Sequence, residues 1–303
     1  MLEALRIAHP FLVRTVDPPV EALAGEPVTA VGRLGKRIVL SFPRDRHLAL
    51  HLMIAGRLHW RERGAALRGR SMLLALDFAG GTLVLSEAGT KRRAALHVVR
   101  GAAGLASLDR GGLEVLAASP SEFRAALARA NHTLKRALTD PRIFAGIGNA
   151  YSDEILHAAR ASPFALTGSL TDLETERLYQ ATRATLTSWI ARLEAQAGGR
   201  FPEGVTAFRP EMAVHGRYGR PCPVCGAPVQ RVRYAENEMN YCARCQTGGR
   251  VFADRALSRL LKADWPRSLE EWEEEIGVPG ATPSPSTPGR RGAGSSRTPR
   301  RRG

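Results

Sequence analysis

The chain has 303 residues, of which 44% are hydrophobic, and this is enough for two or three compact units. Its 44 lysines and arginines outnumber its 29 acidic residues, and the net charge of +15 favours a polyanionic partner. No apolar run approaches the roughly 20 residues that span a bilayer. We therefore expect a soluble, intracellular protein that binds nucleic acid rather than a membrane protein.

The first part of the chain, to about residue 100, predicts a β-sandwich or barrel. Residues 2–8 and 38–42 have the pattern of strands, and residues 47–60 form one longer run that mixes apolar and polar positions. A hairpin is expected where residues 73–78 and 82–85 flank a Gly-Gly turn.

The pattern changes near Pro120, after which apolar residues recur at helical spacing. Ser119 and Ser121 are both candidate N-caps for the first of these helices. Further helices are predicted for residues 134–138, 151–159 and 171–193, followed by a linker at residues 198–219.

The segment IFAGIGNAYSDEIL, residues 143–156, is the most specific motif in this helical region. Gly146 and Gly148 end one helix, and Asn149 directly precedes the next. Glycines permit a close approach of the backbone, and the exposed amides of a helix N-terminus form a phosphate site. Asn149 either caps the second helix or presents its amide to a phosphate.

Two C-x-x-C pairs separated by sixteen residues lie near the C-terminus, and they predict a tetrahedral zinc site on a β-hairpin. The four predicted ligands are Cys222, Cys225, Cys242 and Cys245. Disulfide pairing is the alternative, but no secretory signal opens the chain and no other cysteine occurs in it. Such hairpins commonly present basic side chains to nucleic acid.

The C-terminal region predicts two short helices, at residues 252–261 and 268–276, the second with a capping box formed by Ser268 and Glu271. From Val278 onward the chain consists largely of Pro, Gly, Ser, Thr and Arg, so we expect a disordered basic tail. Its arginines either add a weak, salt-sensitive attraction to phosphates or simply improve solubility.

Taken in order, these motifs resemble the formamidopyrimidine-DNA glycosylase and endonuclease VIII family of bacterial base-excision repair enzymes. The resemblance extends from residue 28 to residue 246 and includes LGKRIVLSF, HLMIAGRL, LKRALTDPRIFAGIGNAYSDEIL and both cysteine pairs. It implies an α+β multi-domain fold with five parts. These are a truncated N-terminal β-sandwich (1–115), a helix–two-turn–helix domain (116–205), a zinc finger (206–250), a helical extension (251–277) and a disordered Arg-rich tail (278–303).

The resemblance also assigns partners and roles. It implies a nucleoid-associated cytoplasmic monomer that binds double-stranded DNA with a damaged base or an abasic site and holds one structural Zn²⁺. Asn149 corresponds to the asparagine that holds a phosphate beside the lesion, and Lys135 to a basic neighbour of that element. Lys36 corresponds to a lysine that contacts phosphate and donates a proton in β-elimination.

Further DNA contacts are implied less directly. Ile54 stands where many members place a methionine that fills the vacated base stack, and an apolar wedge needs bulk more than a particular group. Lys91, Arg92 and Arg93 fall where the family inserts an arginine loop, although the surrounding residues differ. For each basic residue, a solvated surface charge is the alternative.

The finger departs from the family pattern in one position. Asn237 occupies the place of an arginine that the family assigns to δ-elimination and lesion contact. Arg231 and Arg233 are close in sequence and predict phosphate contacts from the hairpin. Lesion choice and the second elimination step therefore do not follow from the resemblance.

The N-terminus departs further. In the family, an N-terminal proline attacks the sugar and an adjacent glutamate acts as an acid, whereas this sequence begins Met1-Leu2-Glu3. Because residues 2–8 have the pattern of the strand after the family's first helix, we expect the leading segment to be missing and assign neither Leu2 nor Glu3 a catalytic role. A start codon placed too far downstream would explain this pattern.

Three functional hypotheses follow. The first is a DNA glycosylase with AP lyase activity, the second a non-catalytic binder of abasic or lesion-containing DNA, and the third a zinc-ribbon nucleic-acid binder without a repair role. The GIGNAYSDEIL segment argues against the third. Residues 201–209 are candidates for the loop that lines the lesion pocket, and His51, His59 and His215 are interpreted as ordinary strand or loop histidines.

Overall fold

The computed structural model describes residues 1–88, 91–234, 237–252 and 268–271, with the backbone alone described at Tyr234 and Asn237. The predicted Arg-rich tail and most of the two predicted C-terminal helices lie outside these residues. Within them, the amide of Glu271 donates to Ser268 Oγ at 3.2 Å, as in the predicted capping box. None of the described helices is both long and apolar enough to cross a lipid bilayer.

The N-terminal part is a β-sandwich of two four-stranded antiparallel sheets. Its strands are β1 (Leu2–Ile7), β2 (Ala30–Leu34), β3 (Arg37–Phe42), β4 (Arg46–His51), β5 (Gly56–Arg61), β6 (Met72–Phe78), β7 (Gly81–Glu87) and β8 (Ala95–Arg100). One sheet has the order β1-β6-β7-β5 and the other β2-β3-β4-β8. The predicted run at residues 47–60 is therefore two strands, β4 and β5, which belong to different sheets.

The sandwich core consists of leucines contributed by both sheets. Leu48 and Leu50 of β4 pack in one cluster with Leu74 and Leu76 of β6 and with Leu85 of β7, each at most 2% exposed. Fully burying one leucine side chain contributes about 2 kcal/mol. This cluster fixes which face of each strand points inward, and so also which residues face the rest of the protein.

The middle of the chain is helical. Its helices are α1 (Gly101–Leu108), α2 (Pro120–Ala128), α3 (Leu134–Thr139), α4 (Asn149–Ala158) and α5 (Asp172–Ala197). Ser119 caps α2 and Thr171 caps α5, each in a complete capping box with the glutamate three residues later. The sequence pattern did not predict α1.

The helices pack around an aromatic centre. Phe123 and Phe144 stack with ring centroids 4.7 Å apart, and Tyr179 of α5 lies 5.4 Å from Phe123. The hydroxyl of Tyr179 donates to the carbonyl of Ala118 at 2.7 Å, so this buried polar group is satisfied.

The zinc finger is a hairpin of β9 (Val229–Tyr234) and β10 (Asn237–Cys242) followed by the short helix α6 (Ala243–Thr247). Val229, Val232 and Met239 form a small apolar cluster with Tyr241. So small a cluster contributes little stability by itself, and a bound metal supplies the remainder.

An ion pair connects the sandwich to the helical domain. The guanidinium of Arg33 donates to both carboxylate oxygens of Glu114, at 3.1 and 2.5 Å, and also to the carbonyl of Gly35 at 2.7 Å. Both side chains are about half exposed, so the pair contributes at most about 1 kcal/mol. It fixes the β2–β3 turn beside the helical domain.

A second ion pair, within the sandwich, is better shielded. The carboxylate of Asp77 accepts from Arg6 Nε at 2.7 Å and from the Thr82 hydroxyl at 2.6 Å, and its side chain is 10% exposed. The Arg6 guanidinium lowers the pKa of Asp77 despite the opposing effect of burial. The stability that Asp77 contributes is therefore present above about pH 4 and declines as the pH falls through its lowered pKa.

We predict that Asp77→Asn lowers the free energy of unfolding by about 1–2 kcal/mol at pH 7, because it removes a charge-assisted hydrogen-bond acceptor. This loss should begin to shrink below about pH 4 and should largely disappear once the pH has fallen through the lowered pKa of Asp77, where the native carboxylate also becomes protonated. Urea unfolding at both pH values measures the difference. The control Glu3→Gln removes the more exposed pair with Arg63 and should change the unfolding free energy by about 0.5 kcal/mol or less. Equal losses in the two variants would contradict the prediction.

Candidate functional site

A cleft of about 1800 Å³ separates the sandwich from the helical domain. Four predicted site residues line it, namely Lys36, Ile54, Asn149 and Arg233, and so does the predicted loop of residues 201–209. Residues Lys135, Arg231 and the group Lys91–Arg93 are not among its lining residues. The cleft therefore brings together some, but not all, of the candidate DNA contacts.

One corner of the cleft is formed by the glycine turn before α4. Gly146 has a φ of +81°, a conformation that favours glycine, and a Cβ there would lie 3.1 Å from a guanidinium nitrogen of Arg33. Gly148 is the N-cap of α4, and a Cβ there would lie 3.6 Å from Lys36 Nζ. The Lys36 ammonium therefore lies beside the N-terminus of α4, where the first backbone amides have no partner within the helix.

Lys36 has the environment of an anion-binding lysine. Burial lowers the pKa of its ammonium, and in the described part of the chain no carboxylate forms an ion pair with it. Lys36 is nevertheless exposed to the cleft, so an anion that enters the cleft can reach its ammonium and favour the charged form. Together with the amides at the start of α4, Lys36 can bind a phosphate.

Asn149 is the first residue of α4 rather than its cap. Its side-chain Nδ2 donates to the carbonyl of Glu238 in β10 at 2.7 Å, so it joins the helix to the finger. The capping alternative is therefore wrong, because Gly148 occupies the N-cap position. The predicted contact between Asn149 and a phosphate stays a prediction.

Lys135 points into the protein interior beneath α4. Its Nζ donates to Asp153 Oδ1 at 2.5 Å, to Ser152 Oγ at 2.8 Å and to the carbonyl of Asn149 at 2.8 Å. Burial lowers the pKa of Lys135, and Asp153 partly offsets that effect. Since internal acceptors take all three ammonium protons, Lys135 braces the helix, and its predicted DNA contact is untested.

Asp153 and Glu154 connect α4 to the rest of the finger region. Asp153 Oδ2 lies 2.7 Å from His215 Nδ1, and Glu154 accepts the amides of Ala213, Val214 and His215 at 2.7–2.9 Å. Asp153 is 1% exposed and Glu154 6%. The sequence interpretation missed these roles. Two adjacent acidic residues on a helix with apolar periodicity indicate that at least one acid is buried and paired with another group.

His215 is likewise not an ordinary loop histidine. It is 3% exposed, it lines the cleft, and its ring lies 4.9 Å from that of Phe208. Asp153 orients its imidazole through Nδ1. Together with the amide contacts of Glu154, this arrangement holds residues 213–215 against α4.

The predicted wedge Ile54 lies at the tip of a tight loop between β4 and β5 and is 66% exposed. The preceding Met53 has a φ of +55°, and its amide donates to His51 Nδ1 at 3.0 Å. Burial, followed by the charges of Arg37 and Lys36, lowers the pKa of His51 to about 4, so the ring is neutral and can accept this bond at pH 7. The sequence interpretation missed both Met53 and the role of His51.

The same loop is closed by its neighbours. The amide of Gly56 donates to the carbonyl of Leu52 at 2.9 Å, and a Cβ at Gly56 would lie 2.2 Å from that oxygen. Arg57 donates to the carbonyl of Ile54 at 3.0 Å. Only glycine fits at position 56, and the wedge is held by hydrogen bonds on both sides.

The basic group Lys91–Arg93 leaves the sandwich at the edge that carries the wedge, because β7 ends at Glu87 opposite Gly56. The carboxylate of Glu87 accepts the amide of Arg93 at 2.9 Å, and Arg92 lies 2.7 Å from His9 Nε2. The predicted insertion of this loop into DNA stays a prediction.

The finger hairpin carries the remaining basic candidates. Arg231 stacks on the ring of Tyr218 at 4.2 Å and lies 3.8 Å from Glu238, whereas Arg233 lies 4.0 Å from Glu238 and is 62% exposed. Asn237 pairs with Tyr234 at the end of the hairpin, but its side chain is outside the described atoms. DNA contacts by these residues stay predictions.

The predicted loop of residues 201–209 crosses the cleft. Phe201 stacks on Trp60 with ring centroids 6.3 Å apart, and Glu203 pairs with Arg61 at 2.6 Å. On the opposite wall, the hydroxyl of Tyr151 donates to the carbonyl of Thr206 at 2.8 Å. His59, interpreted as an ordinary histidine, lies 3.6 Å from Glu203 and 2.9 Å from Ser86 Oγ.

The four cysteines form a metal site in which all sulfurs lie within 4.8 Å of one another. Cys225 Sγ and Cys242 Sγ are 3.4 Å apart, and all four thiols are free, so the disulfide alternative is wrong. Burial raises the pKa of Cys245 to about 11, and a metal ion must displace that proton. Four converging thiolates fit zinc, and this cluster holds one structural zinc ion.

Family models match three consecutive regions of the chain. The formamidopyrimidine-DNA glycosylase N-terminal domain matches residues 1–96, and the helix–two-turn–helix domain of the same glycosylase matches residues 114–198. A zinc finger found in FPG and IleRS matches residues 219–248.

Individual proteins agree with this assignment. The formamidopyrimidine-DNA glycosylases of Heliobacterium modesticaldum and Moorella thermoacetica are each 32% identical to the chain; the matches cover 75% and 76% of this chain and 84% and 86% of those proteins. An uncharacterized formamidopyrimidine-DNA glycosylase-like protein of Mycobacterium tuberculosis is 42% identical over 50% of this chain and 94% of its own length.

Solved structures share the fold. A complex of Lactococcus lactis FPG with DNA that contains FAPY-dG has a TM-score of 0.71 at 23% identity, covering 81% of this chain and 92% of that one. A complex of the same protein with abasic-site DNA has a TM-score of 0.70, with the same identity and coverage.

We predict that Asp153→Asn lowers the free energy of unfolding by about 3–5 kcal/mol, because it leaves the buried ammonium of Lys135 without an anion. Urea unfolding of the zinc-loaded protein measures this loss. Adding Lys135→Met to Asp153→Asn removes the unpaired charge and should recover at least about 1 kcal/mol. A double variant no more stable than Asp153→Asn alone would contradict this explanation.

Proposed function

Because the chain belongs to the formamidopyrimidine-DNA glycosylase family, we propose that it excises damaged bases from duplex DNA bound in the cleft. The three family models, the β-sandwich, the helix–two-turn–helix element and the zinc finger support this proposal. The net charge of +15 favours binding to the phosphate backbone.

The observation that carries the proposal is the convergence of Lys36 with the N-terminus of α4. A phosphate beside the lesion would accept hydrogen bonds from the free amides of the helix and from the Lys36 ammonium. Asn149 lies at the same corner and lines the cleft. This phosphate clamp would set the register of the DNA relative to the wedge.

Ile54 would support the vacated base stack. Everting a base costs a few kcal/mol, least for a damaged or mispaired base. The protein offsets this cost by phosphate contacts and by inserting an apolar side chain. Met53 adds a second exposed apolar side chain beside Ile54. The basic residues Lys91–Arg93 lie after β7, at the same edge of the sandwich.

The finer proposal is an AP lyase reaction. An amine would add to C1′ of the sugar and displace the base. Cleavage of the C1′–O4′ bond, with a proton passing to O4′, would then open the ring to a Schiff base. Loss of a proton from C2′ would break the C3′–O bond and release the 3′-phosphate by β-elimination. In this proposal Lys36 is the proton donor in β-elimination. We assign the roles of the family's proline and glutamate to neither Leu2 nor Glu3, so the attacking amine must be identified by trapping. The zinc ion has a structural role in the finger.

A second candidate function is a non-catalytic binder of abasic or lesion-containing DNA. The observation in its favour is that the corner formed by Lys36 and the N-terminus of α4 would bind a phosphate without needing a nucleophile.

Borohydride trapping on a duplex with one abasic site tests the lyase proposal, with a gel shift on the same duplex as the binding measurement. We expect a covalent protein–DNA band, whose attached residue mass spectrometry would identify. Retention of the duplex without a covalent band would favour the binder. Failure to retain abasic DNA more tightly than the intact duplex would contradict both functions.

We predict that Lys36→Met weakens binding of abasic duplex roughly 10-fold and reduces the slope of log affinity against log salt by about 1, because one phosphate contact is lost. Gel-shift titrations at several salt concentrations measure both values. Arg177→Met, which removes a charge from the exposed side of α5, is the control and should change affinity less than about 2-fold. Similar losses in the two variants would contradict the phosphate clamp.

A further inference from the structure

Helix α4 contacts the metal site directly through His157. The Nε2 atom of His157 lies 3.2 Å from Cys222 Sγ. Both residues are buried, with 6% and 3% exposure. This contact joins the helical domain to a zinc ligand, and neither the cysteine spacing nor the structural role of the zinc ion requires it.

The chemistry of the pair fixes the direction of the hydrogen bond. A zinc-bound cysteine is a thiolate and can only accept, so the proton must lie on Nε2 of His157. The other bonds to these sulfurs come from the backbone, with the amides of Val224 and Cys245 each 3.5 Å from a sulfur. Among the described residues, His157 is the one side chain that offers a nitrogen to any of the four sulfurs.

A donor at this position also has an electrostatic effect. Zinc with four thiolates carries a net charge of −2, and its neighbours include the apolar core of the finger. An N–H directed at one sulfur spreads that charge and orients the ligand, as outer partners of metal ligands generally do. His157 therefore stabilises the loaded site without contacting the metal.

The same helix reaches the cleft at its other end. Asn149 and His157 are eight residues apart, or about 12 Å along a helix. Between them, Asp153 and Glu154 bind His215 and the adjacent amides. The helix is thus held at its start, in its middle and near its end by the finger region.

We propose that His157 is a positioning residue that donates a hydrogen bond to the Cys222 thiolate and so couples zinc binding to the placement of Asn149. The effect of His157 on zinc retention does not depend on what the protein does to DNA. The effect of His157 on DNA binding, through the position of Asn149, rests on the proposed function.

Two substitutions separate hydrogen bonding from packing. His157→Phe fills the space without a donor, whereas the side-chain amide of His157→Gln can replace Nε2–H. Release of zinc from the purified full chain to a chromogenic chelator measures retention of the metal. We expect release about 10–100-fold faster from His157→Phe and close to the wild-type rate from His157→Gln.

The control is His97→Phe, which changes a half-buried histidine on the sandwich and should leave the release rate unchanged. A wild-type rate in His157→Phe would overturn the proposal. So would equal acceleration in His157→Phe and His157→Gln, because packing rather than donation would then explain the effect.

A measurement on the wild-type chain tests the bond even if the Phe variant fails to fold. After exchange of zinc for ¹¹³Cd, the Nε2–H proton of His157 should show scalar coupling to the metal across the sulfur. A non-protonated Nε2 in the loaded protein would overturn the proposal.

Binding of abasic duplex tests the link to the cleft. We expect zinc-loaded His157→Phe to bind this duplex several-fold more weakly than the wild type, and unchanged affinity would overturn the coupling to Asn149. If the wild type itself does not bind abasic duplex, the proposed function fails, whereas zinc release still decides whether His157 supports the metal site.

Discussion

The buried carboxylate of Asp153 is the interaction on which the site depends. One oxygen receives the Lys135 ammonium, and the other receives His215 and the amide of Asn240. A charge with no exposure is tolerated only when its partners satisfy it completely. These partners come from α3, from the segment that contains His215 and from β10. Satisfying one carboxylate therefore fixes three separate segments against α4.

The cleft has the opposite electrostatic character. Lys36 is exposed to the cleft beside the start of α4, and its cation has no ion-pair partner among the described residues. The buried charges around Asp153 thus neutralise each other, whereas the cleft retains a positive charge that an anion can compensate. The distinction separates Lys135, which supports the helix, from Lys36, which is available to a phosphate. Sequence alone assigned both lysines to DNA.

Local signals were predictable from the sequence, and distant partners were not. The Ser119 cap, the hairpin at residue 80 and the four-cysteine cluster depend on residues close in the chain or on fixed spacing. The split of residues 47–60 into strands of two sheets depends on tertiary pairing that no local pattern encodes. The roles of Asp153 and His215 likewise arise between segments 62 residues apart.

The closed loop that carries Ile54 has a thermodynamic consequence for insertion into DNA. His51 and Arg57 hold the backbone on either side of the tip, and Gly56 closes the turn. A flexible loop would lose roughly 1–2 kcal/mol of conformational entropy per residue on becoming ordered in a complex. Here hydrogen bonds already order the loop in the free protein. If Ile54 has the proposed wedge role, its insertion would therefore cost little loop entropy and would resemble rigid docking more than coupled folding and binding.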